Sequence, residues 1–573
     1  MRKILMATAA LLLGTTQALA HGTFVYVPVY AGGQAGPPPF AVVDAASGHF
    51  AGTTEYQNFL LCDGFGRIDG QSDEMNQINH AVMFDHGVHP QIRYPKLPVL
   101  GSAGAEACTR ALADTALGAG FPARRAHLLL YRALHRTVAG DAAGVTADLD
   151  AASKALAEAG HDDALARSLG LDITLVAAFG AAQAKDGEKA KALFQTVADA
   201  RPDVTQLLAA APAFYGLNAR LPDGQDVLPT LARENPGWRG TMFLKAALDG
   251  NYQLVTELYG VLSDSYLASR NLKMMPDLEG HQAYALSTLG KSAQAEAVLA
   301  AASAYLAAHT PAEPTPLAAG ATEGRREAGE RSQAISTRQA MLATKAQLDK
   351  WTDYIALRKT MLAAAPADTS ALLAKLPTDV PLDIRLDLIR LAKTKGPLSD
   401  STQKMADYFR DHALEVLTKN LPPDPTKIER ALFYPERYTL VPQGFYRGAD
   451  YAGFKWANPG QCSHTAEGEG IVSYRCANEV NMPAVIDEVI LINAALDARH
   501  QGKTAIVIRS RTTTHHLVNN TLHNGYDTIM ALDFVDGANL PEKYRAVPWA
   551  VIPTDAILKR LMPFYAHPAP AGT

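Results

Sequence analysis

Alanine recurs at helical spacing through the middle of this chain, and the spacing fits pairs of helices in close contact. Between residues 170 and 202, Ala178 and Ala181 precede the turn Asp186-Gly187, and Ala190 and Phe194 follow it. Small side chains let the two helices of a hairpin approach closely, and a bulky side chain then fills the gap to the next hairpin. The segment therefore predicts a helical hairpin over residues 170–202.

Two further segments show a weaker form of the same pattern. One covers residues 276–308, where the turn Gly290-Lys291 is flanked by small and apolar residues at Ala283, Ala295, Leu299 and Ala302. The other covers residues 122–158, where the turn Gly140-Asp141 is flanked by Ala133, Leu149 and Ala152. Each segment predicts one more helical hairpin.

Ala190, Phe194 and Pro202 reproduce the A-x3-F…P spacing of the tetratricopeptide repeat. On these residues the chain resembles exported bacterial tetratricopeptide repeat proteins, with degenerate repeats over roughly 200 residues. The resemblance implies an α-solenoid whose exposed surface binds a protein or peptide partner. A generic helical bundle with similar alanine content is the alternative.

The first 20 residues have the features of a cleaved secretory signal peptide. Arg2 and Lys3 precede an apolar stretch from Ile4 to Gly14, and Ala18-Leu19-Ala20 fits a cleavage site. No later apolar run reaches the ~18 residues that a transmembrane helix needs. We therefore expect a periplasmic or secreted protein without a transmembrane span.

Four cysteines fall into two separated regions of the chain. Cys62 and Cys108 lie near the start of the mature chain, and Cys462 and Cys476 lie close together near its end. Their positions favour the pairs Cys62–Cys108 and Cys462–Cys476, because the two cysteines of each pair share one region of the chain. Oxidising compartments sustain such disulfides. Four buried free thiols are the alternative.

Changes in composition divide the chain into six parts. We predict these parts to be the signal peptide at 1–20, a Gly/Pro-rich segment at 21–103, the helical array at 104–308, a linker at 309–322, a helical extension at 323–425 and an α/β domain at 426–573. Within the extension, a long helix is expected over about 325–364, followed by helices near 369–375, 382–393 and 401–419. The fold class is thus mainly α with a small C-terminal α/β domain.

The C-terminal domain has alternating strand and helix patterns. Strands are predicted at 471–476, 504–508, 528–534 and 546–552, with a helix starting near Pro483 and a final helix from Thr554 through Leu561. The first helix has one apolar face, formed by Val485, Val489, Ile492 and Leu496. This order is similar to that of small envelope-protein domains of unknown function.

Composition and motifs exclude several functional classes. A formal net charge of −5 provides no basic surface for phosphates, so nucleic-acid binding is not expected. Neither G-x-S-x-G nor H-E-x-x-H occurs, so the common serine hydrolase and zinc protease patterns are not met.

Histidines supply three candidate metal sites, for Zn or Cu. His21 becomes the mature N-terminus if cleavage follows Ala20, as in copper monooxygenases, although a histidine that follows the cleavage site by accident is the simpler interpretation. His80, His86 and His89 with Asp85 form a second group, which a solvated loop also explains. The third comprises His515, His516 and His523 with Asp527 and Asp533, between two predicted strands. Of these, His515, His523 and His21 are the best metal candidates, whereas a polar hairpin is the simpler interpretation of the third group.

The sequence favours an extracytoplasmic interaction or scaffold protein over an enzyme. This hypothesis depends on the repeats, the export signal and the missing catalytic motifs. Two alternatives stay open: a Zn- or Cu-dependent protein with its site in the C-terminal domain or at His21, and a structural component of a surface assembly. No cofactor follows from the sequence otherwise, and neither the partner nor the oligomeric state can be deduced from it.

Overall fold

The computed structural model describes residues 55–63, 101–117, 120–160, 163–216, 226–270, 276–315, 324–377, 379–418, 432, 462–468, 470–478, 483–518 and 522–565. The described chain is mainly helical, with one five-stranded antiparallel sheet near the C-terminus. The predicted signal peptide, His21 and His80, His86 and His89 all lie outside the described residues.

Nine α-helices of four or more residues precede residue 235 within the described part of the chain. They are α1 Glu55–Asp63, α2 Ser102–Leu112, α3 Pro122–Ala139, α4 Ala142–Glu158, α5 Leu171–Gln183, α6 Gly187–Ala200, α7 Thr205–Leu208, α8 Ala211–Tyr215 and α9 Val227–Glu234. A short helix Asp163–Leu165 and a π-helical turn Ala166–Gly170 lead directly into α5.

The predicted hairpins over 122–158 and 170–202 correspond to α3–α4 and α5–α6. Their turns have the expected chemistry, because the side chains of Asp141 and Asp186 cap α4 and α6 by accepting hydrogen bonds from the Gly144 and Lys189 amides. Gly140 has a φ of 78°, a conformation that favours glycine at the end of a helix. Consecutive helices from α1 to α6 pack on one another, and α3 also contacts α5.

Helix α1 lies in the Gly/Pro-rich segment 21–103, where the sequence predicts no helix. A nine-residue helix is not stable alone, so tertiary contacts must hold it. Cys62 is disulfide-bonded to Cys108 of α2, and buried Asp63 forms ion pairs with Arg124 and His127 of α3 at 3.0 and 2.8 Å. These contacts depend on residues far away in sequence, and local pattern could not reveal them.

Eight helices follow between residues 237 and 418 of the described chain. They are α10 Gly237–Asp249, α11 Tyr252–Arg270, α12 Pro276–Thr288, α13 Ser292–His309, α14 Arg325–Ala363, α15 Pro366–Ala374, α16 Leu382–Lys395 and α17 Asp400–Thr418. The third predicted hairpin corresponds to α12–α13. The long helix and the three shorter helices predicted after residue 323 correspond to α14–α17.

The C-terminal region contains five strands and three helices in the described residues. They are β1 Cys462–Gly468, β2 Ile471–Asn478, α18 Pro483–His500, β3 Ala505–Val518, β4 Leu522–Val535, α19 Glu542–Arg545, β5 Ile552–Pro553 and α20 Thr554–Tyr565. The strand order is β1-β2-β4-β3-β5, and every neighbouring pair is antiparallel. The strand predicted at 546–552 is mostly wrong, since Pro548–Ala550 is a 3-10 turn and β5 has only two residues.

Helix α18 is buried on all sides and not on one apolar face alone. The predicted face is buried, with Val485, Val489 and Ile492 at most 1% exposed, but Ile490 and Leu491 are equally inaccessible. A helix that is apolar all round is typically enclosed by other elements. Here β2, β3, β4 and α20 contact α18, and Ala164, in the short helix Asp163–Leu165 before α5, joins the same hydrophobic cluster.

The described chain divides into two compact units that differ from the six predicted parts. The sheet unit comprises the described residues of 55–235, 462–540 and 549–565, and the helical unit comprises those of 236–418 and 541–548. The sheet unit therefore joins the first two predicted hairpins to the C-terminal strands. The predicted boundary at 308 lies inside the helical unit, whereas the helical unit ends close to the predicted boundary at 425.

Among the described residues, one helix is long and apolar enough to cross a membrane by length and composition. It runs from Asp163 to Gln183, and 61% of its most apolar window is buried inside the protein. Residues 163–183 serve as a core helix in this structure.

Candidate functional site

A surface groove lies between α2, the end of α3 and the turn that follows it. Its volume is about 530 Å³. The wall carries two acids, two arginines, two hydroxyl side chains and two alanines, contributed by Ser102, Ala105, Glu106, Thr109, Arg110, Arg136, Ala139 and Asp141. Such a lining suits polar chain segments better than an apolar small molecule.

The arginines of this groove are held in place by neighbouring groups. Arg110 donates to the Asn58 side chain at 3.1 Å, which links the groove to α1. Arg136 contacts the carboxylate of Asp148 at 3.0 Å and donates to the Gly144 carbonyl at 3.1 Å. Both guanidinium groups therefore have partners on the groove wall while 40% of the Arg110 side chain and 26% of the Arg136 side chain stay exposed to a partner.

The residues predicted to pack the repeats are buried, except for half-buried Pro202. Ala178, Ala190 and Phe194 are at most 2% exposed, and the same holds for Ala283 and Ala295, while Ala302 is 5% exposed.

Phe194 does not contact a regular third hairpin. Its ring stacks on Phe214 of α8 at 4.5 Å between centroids. The described residues of 203–216 and 226–235 form the short helices α7–α9 instead. This outcome agrees with the sequence, because residues 203–275 fit the repeat pattern poorly.

A buried carboxylate joins the helical hairpins to α18 within the sheet unit. Glu488 accepts hydrogen bonds from Arg201 at 2.9 and 3.0 Å and from Arg167 at 3.1 Å, and the Tyr565 hydroxyl also donates to it. Burial alone would raise the pKa of Glu488, but Arg201 and Arg167 outweigh it and hold the pKa below its usual value. The carboxylate is therefore ionised. It connects α18 to Arg201 and Arg167, which lie 287 and 321 positions earlier in the sequence.

The π-helical turn before α5 positions one of these arginines. Arg167 lies within Ala166–Gly170, and its guanidinium stacks over the Phe564 ring at 3.7 Å while it reaches Glu488. A π-turn shifts the following side chains around the helix axis, and such turns often occur where a side chain must be aimed.

A second group of buried charges surrounds Glu234 at the end of α9. Arg233 donates to Glu234 at 2.7 Å, and burial raises the pKa of the Glu234 carboxyl. Nearby, Arg560 of α20 forms a two-point contact with Asp203 at 2.5 and 3.2 Å, and Arg511 of β3 pairs with Asp487 of α18. Burial lowers the pKa of Arg511 to about 10, which leaves it charged near neutral pH.

We call Arg167, Arg201, Asp203, Glu234, Asp487, Glu488, Arg511 and Arg560 the charged junction. Clusters of buried ionisable groups occur at active sites and also in structural ion-pair networks. The carboxylates of Asp203, Asp487 and Glu488 each pair with an arginine. The junction therefore acts as a structural connection between helices and sheet.

Sequence reasoning missed the charged junction, although one signal was present. Asp487 and Glu488 interrupt the apolar run Val485-Ile486 … Val489-Ile490. Two adjacent acids in such a run indicate buried partners of opposite charge. Those partners lie up to 321 residues away, and no local pattern identifies them.

The helical unit contains a polar cluster of its own, centred on His281 of α12. The His281 ring lies 3.0 Å from the Asp383 carboxylate through Nε2 and 2.5 Å from the Asp277 carbonyl through Nδ1. Both nitrogens face acceptors, so both donate. Burial disfavours the imidazolium, but Asp383 outweighs this effect and raises the pKa of His281.

The predicted histidine site lies on strands and not on a loop. His515 belongs to β3 and pairs with Tyr526, whereas His523 belongs to β4 and pairs with Leu517, so the two are not directly opposite each other. Their side chains and His21 lie outside the described residues. Asp527 and Asp533 face Arg475 and Arg509, at 2.6 and 3.5 Å.

In the described part of the chain, no three His, Cys, Asp or Glu side chains form a group that could hold a metal ion. The Zn or Cu site stays a prediction. Elemental analysis of the purified mature protein is its test.

The cysteines lie where the sequence analysis paired them. Cys62 and Cys108 are bonded, with 4.6 Å between their Cα atoms. Cys476 is buried and disulfide-bonded, and Cys462 lies directly opposite it in the β1–β2 register.

Comparison with protein-family models, curated proteins and solved structures found no match to this chain.

Proposed function

We propose that this chain is an extracytoplasmic interaction protein that binds a protein or peptide partner through its helical hairpins, arranged in the manner of tetratricopeptide repeats. The groove beside α2 and α3 carries the proposal, because it combines accessible volume with fixed charged groups. The export pattern of residues 1–20 and the Cys62–Cys108 disulfide support a location outside the cytoplasm.

The lining of the groove defines the kind of partner that fits. Arg110 lies 3.7 Å from Glu106 and Arg136 lies 3.5 Å from Asp141, so the groove wall has two ion pairs, each of which offers a partner both a basic and an acidic group. An extended peptide segment offers both kinds of partner within a few residues. We therefore propose a polar, unstructured segment of another protein as the occupant.

Two exposed threonines provide a matched test of this proposal. Thr109 lines the groove and donates to the Ala105 carbonyl at 2.8 Å, while Thr146 of α4 lies outside it and donates to the Ala142 carbonyl at 3.2 Å. Thr109→Trp would fill the groove, and Thr146→Trp would place the same side chain on another surface.

The experiment is affinity capture from envelope extract with the full-length mature chain. We expect proteins that the wild type and Thr146→Trp retain and that Thr109→Trp loses. If all three chains retain the same set, the groove is not the binding surface, and if none retains any specific protein, the interaction function fails.

A further inference from the structure

Helix α2 forms most of the groove wall, yet little apolar surface holds it in place. Its outward side contributes five of the eight groove residues, namely Ser102, Ala105, Glu106, Thr109 and Arg110. Its buried side consists of small residues, namely Ala103, Gly104, Ala107, Cys108 and Ala111. Such residues bury little apolar area, and a helix of 11 residues is marginal by itself. The position of α2 therefore depends on its other connections.

The connections of α2 to α1 are covalent and polar. Cys108 is bonded to Cys62, and the Arg110 side chain donates to the Asn58 side chain at 3.1 Å. Asn58 and Cys62 are four residues apart and so lie on one side of α1. The disulfide thus joins α1 to the groove wall within two residues of Arg110.

Helix α1 passes this connection on to α3. Asp63 of α1 pairs with Arg124 and His127 of α3 at 3.0 and 2.8 Å, and the Cys62 carbonyl accepts a hydrogen bond from His135. The three helices α1, α2 and α3 contact one another. The disulfide therefore closes a corner of three helices, and any loosening of α1 reaches the groove wall.

The disulfide has to form before this corner closes. Cys62 and Cys108 are both 0% exposed, so an oxidant cannot reach either sulfur in the closed structure. One cysteine thiolate attacks a disulfide-bearing oxidant and releases its first thiol, and the other cysteine then attacks the mixed disulfide and releases the second thiol. The oxidant takes up two electrons and the two thiol protons. Burial afterwards protects the Cys62–Cys108 bond from reductants.

We propose that the groove becomes able to bind only after Cys62 and Cys108 are joined, so that oxidation confines binding to a compartment outside the cytoplasm. A reducing cytoplasm keeps the two thiols separate, and α2 then lacks its covalent connection to α1. This inference rests on the proposed function of the groove and adds the condition under which the groove forms.

Hydrogen exchange of the full-length mature chain tests the structural part of this inference without any partner. In Cys62→Ala/Cys108→Ala the amides of α2 should exchange about tenfold faster or more, because the unfolded α1–α2 corner is no longer restrained, while those of α5 keep their wild-type rates. Cys462→Ala/Cys476→Ala is the matched control, since it removes the other two cysteines and should leave α2 unchanged. Equal α2 rates in the wild type and in Cys62→Ala/Cys108→Ala would overturn the proposal.

A second variant decides the matter if Cys62→Ala/Cys108→Ala loses protection in α5 as well. Asn58→Ala keeps the disulfide and removes the acceptor of the Arg110 hydrogen bond. Exchange in α2 should then become about fivefold faster or more, with α5 unchanged, because a hydrogen bond to a charged group is lost. Unchanged exchange in α2 would show that α1 does not hold the groove wall, and the proposal would fail.

Affinity capture from envelope extract tests the functional part. The proteins that Thr109→Trp loses should also be lost by Cys62→Ala/Cys108→Ala and retained by Cys462→Ala/Cys476→Ala. If Cys62→Ala/Cys108→Ala retains them, oxidation does not control the groove, and the proposed function stands without this condition. If the wild type and Thr109→Trp retain the same proteins, the proposed function of the groove fails and this inference fails with it.

Discussion

At the scale of single residues, the charged junction determines which side chains the sheet unit cannot lose. Glu488 is fully buried, and its partners Arg167 and Arg201 come from the helical hairpins. Removing one member of a buried ion pair leaves the other charges unpaired in a medium that solvates them poorly. The cost of such a change exceeds the net contribution of the pair.

Glu488→Gln should therefore destabilise the sheet unit by about 3–5 kcal/mol, because two buried arginines lose their counter-charge. Urea unfolding with hydrogen exchange in α18 measures this loss. Glu188→Gln is the control, since Glu188 pairs with Lys191 at 91% exposure and should change stability by less than about 0.5 kcal/mol. Equal effects of the two substitutions would contradict the assigned role of Glu488.

His135 of α3 makes the sheet unit sensitive to acid. Its Nε2 donates to the Cys62 carbonyl at 2.8 Å, and burial lowers the pKa of His135 to about 4. In the unfolded chain the pKa is 6.5, so the unfolded state binds more protons between these values. The stability that neutral His135 contributes is therefore present above pH 6.5 and is lost as the pH falls toward 4.

We expect acidification from pH 7 to pH 4 to remove about 3 kcal/mol of stability through His135. His135→Gln should flatten this part of the pH profile, measured by hydrogen exchange in α3. His309→Gln, at an exposed position, serves as the control. If the profile keeps its slope in His135→Gln, another group is responsible.

His281 in the helical unit has the opposite effect on how stability depends on pH. Its folded-state pKa is raised by Asp383, so its contribution is complete below the unfolded value of 6.5 and is lost as the pH rises through the folded value. The stability contributed by His135 to the sheet unit should therefore fall as the pH falls, and the stability contributed by His281 to the helical unit should fall as the pH rises.

At the scale of elements, one glycine controls how α12 packs on α14. A Cβ atom added at Gly280 would lie 2.2 Å from the Trp351 ring, which is 1% exposed and cannot move aside. Gly329 also lies within a helix, α14, but its added Cβ would meet nothing within 4 Å.

Gly280→Ala should destabilise the helical unit by about 1–3 kcal/mol through overpacking. Gly329→Ala should stabilise the helix by about 0.5–1 kcal/mol, because alanine loses less conformational freedom there. Thermal unfolding, monitored by tryptophan fluorescence, compares the two variants. A neutral or stabilising Gly280→Ala would contradict the close contact.

The Cys62–Cys108 disulfide holds α1 on the rest of the sheet unit. It closes a loop of 46 residues, which corresponds to about 2–4 kcal/mol of stability. The double variant Cys62→Ser/Cys108→Ser should lose hydrogen-exchange protection in α1 first, whereas α5 and α6 should retain theirs. Unchanged protection of α1 would show that the Asp63 ion pairs suffice.

The elements that sequence predicted well are those whose pattern is local. Helical periodicity, turn residues such as Gly140-Asp141 and the long charged stretch after residue 324 located α3–α6 and α12–α17. Elements held by distant partners were not found: α1 depends on Cys108 and Arg124, and the enclosure of α18 depends on Arg167 and Arg201. The sequence pattern predicts strands only for the apolar parts of β3 and β4. Both strands extend beyond these parts into polar sequence, and the candidate histidines in that sequence were therefore predicted to lie on a loop.

At the scale of the whole molecule, composition reveals only part of the division of the chain. The compact units divide near residue 420, close to the composition change at 425, but they also divide near residues 235 and 541, where composition gives no signal, and the change at 308 lies inside the helical unit. A partner bound at the groove would contact the sheet unit, to which all the groove residues belong.

The central claim is that a partner occupies the groove beside α2 and α3, and in-cell photo-crosslinking tests it most directly. A photoreactive amino acid at position 109 should yield a specific cross-linked protein, and the same group at position 146 should yield none. Cross-links of equal pattern at both positions, or none at position 109, would contradict the account.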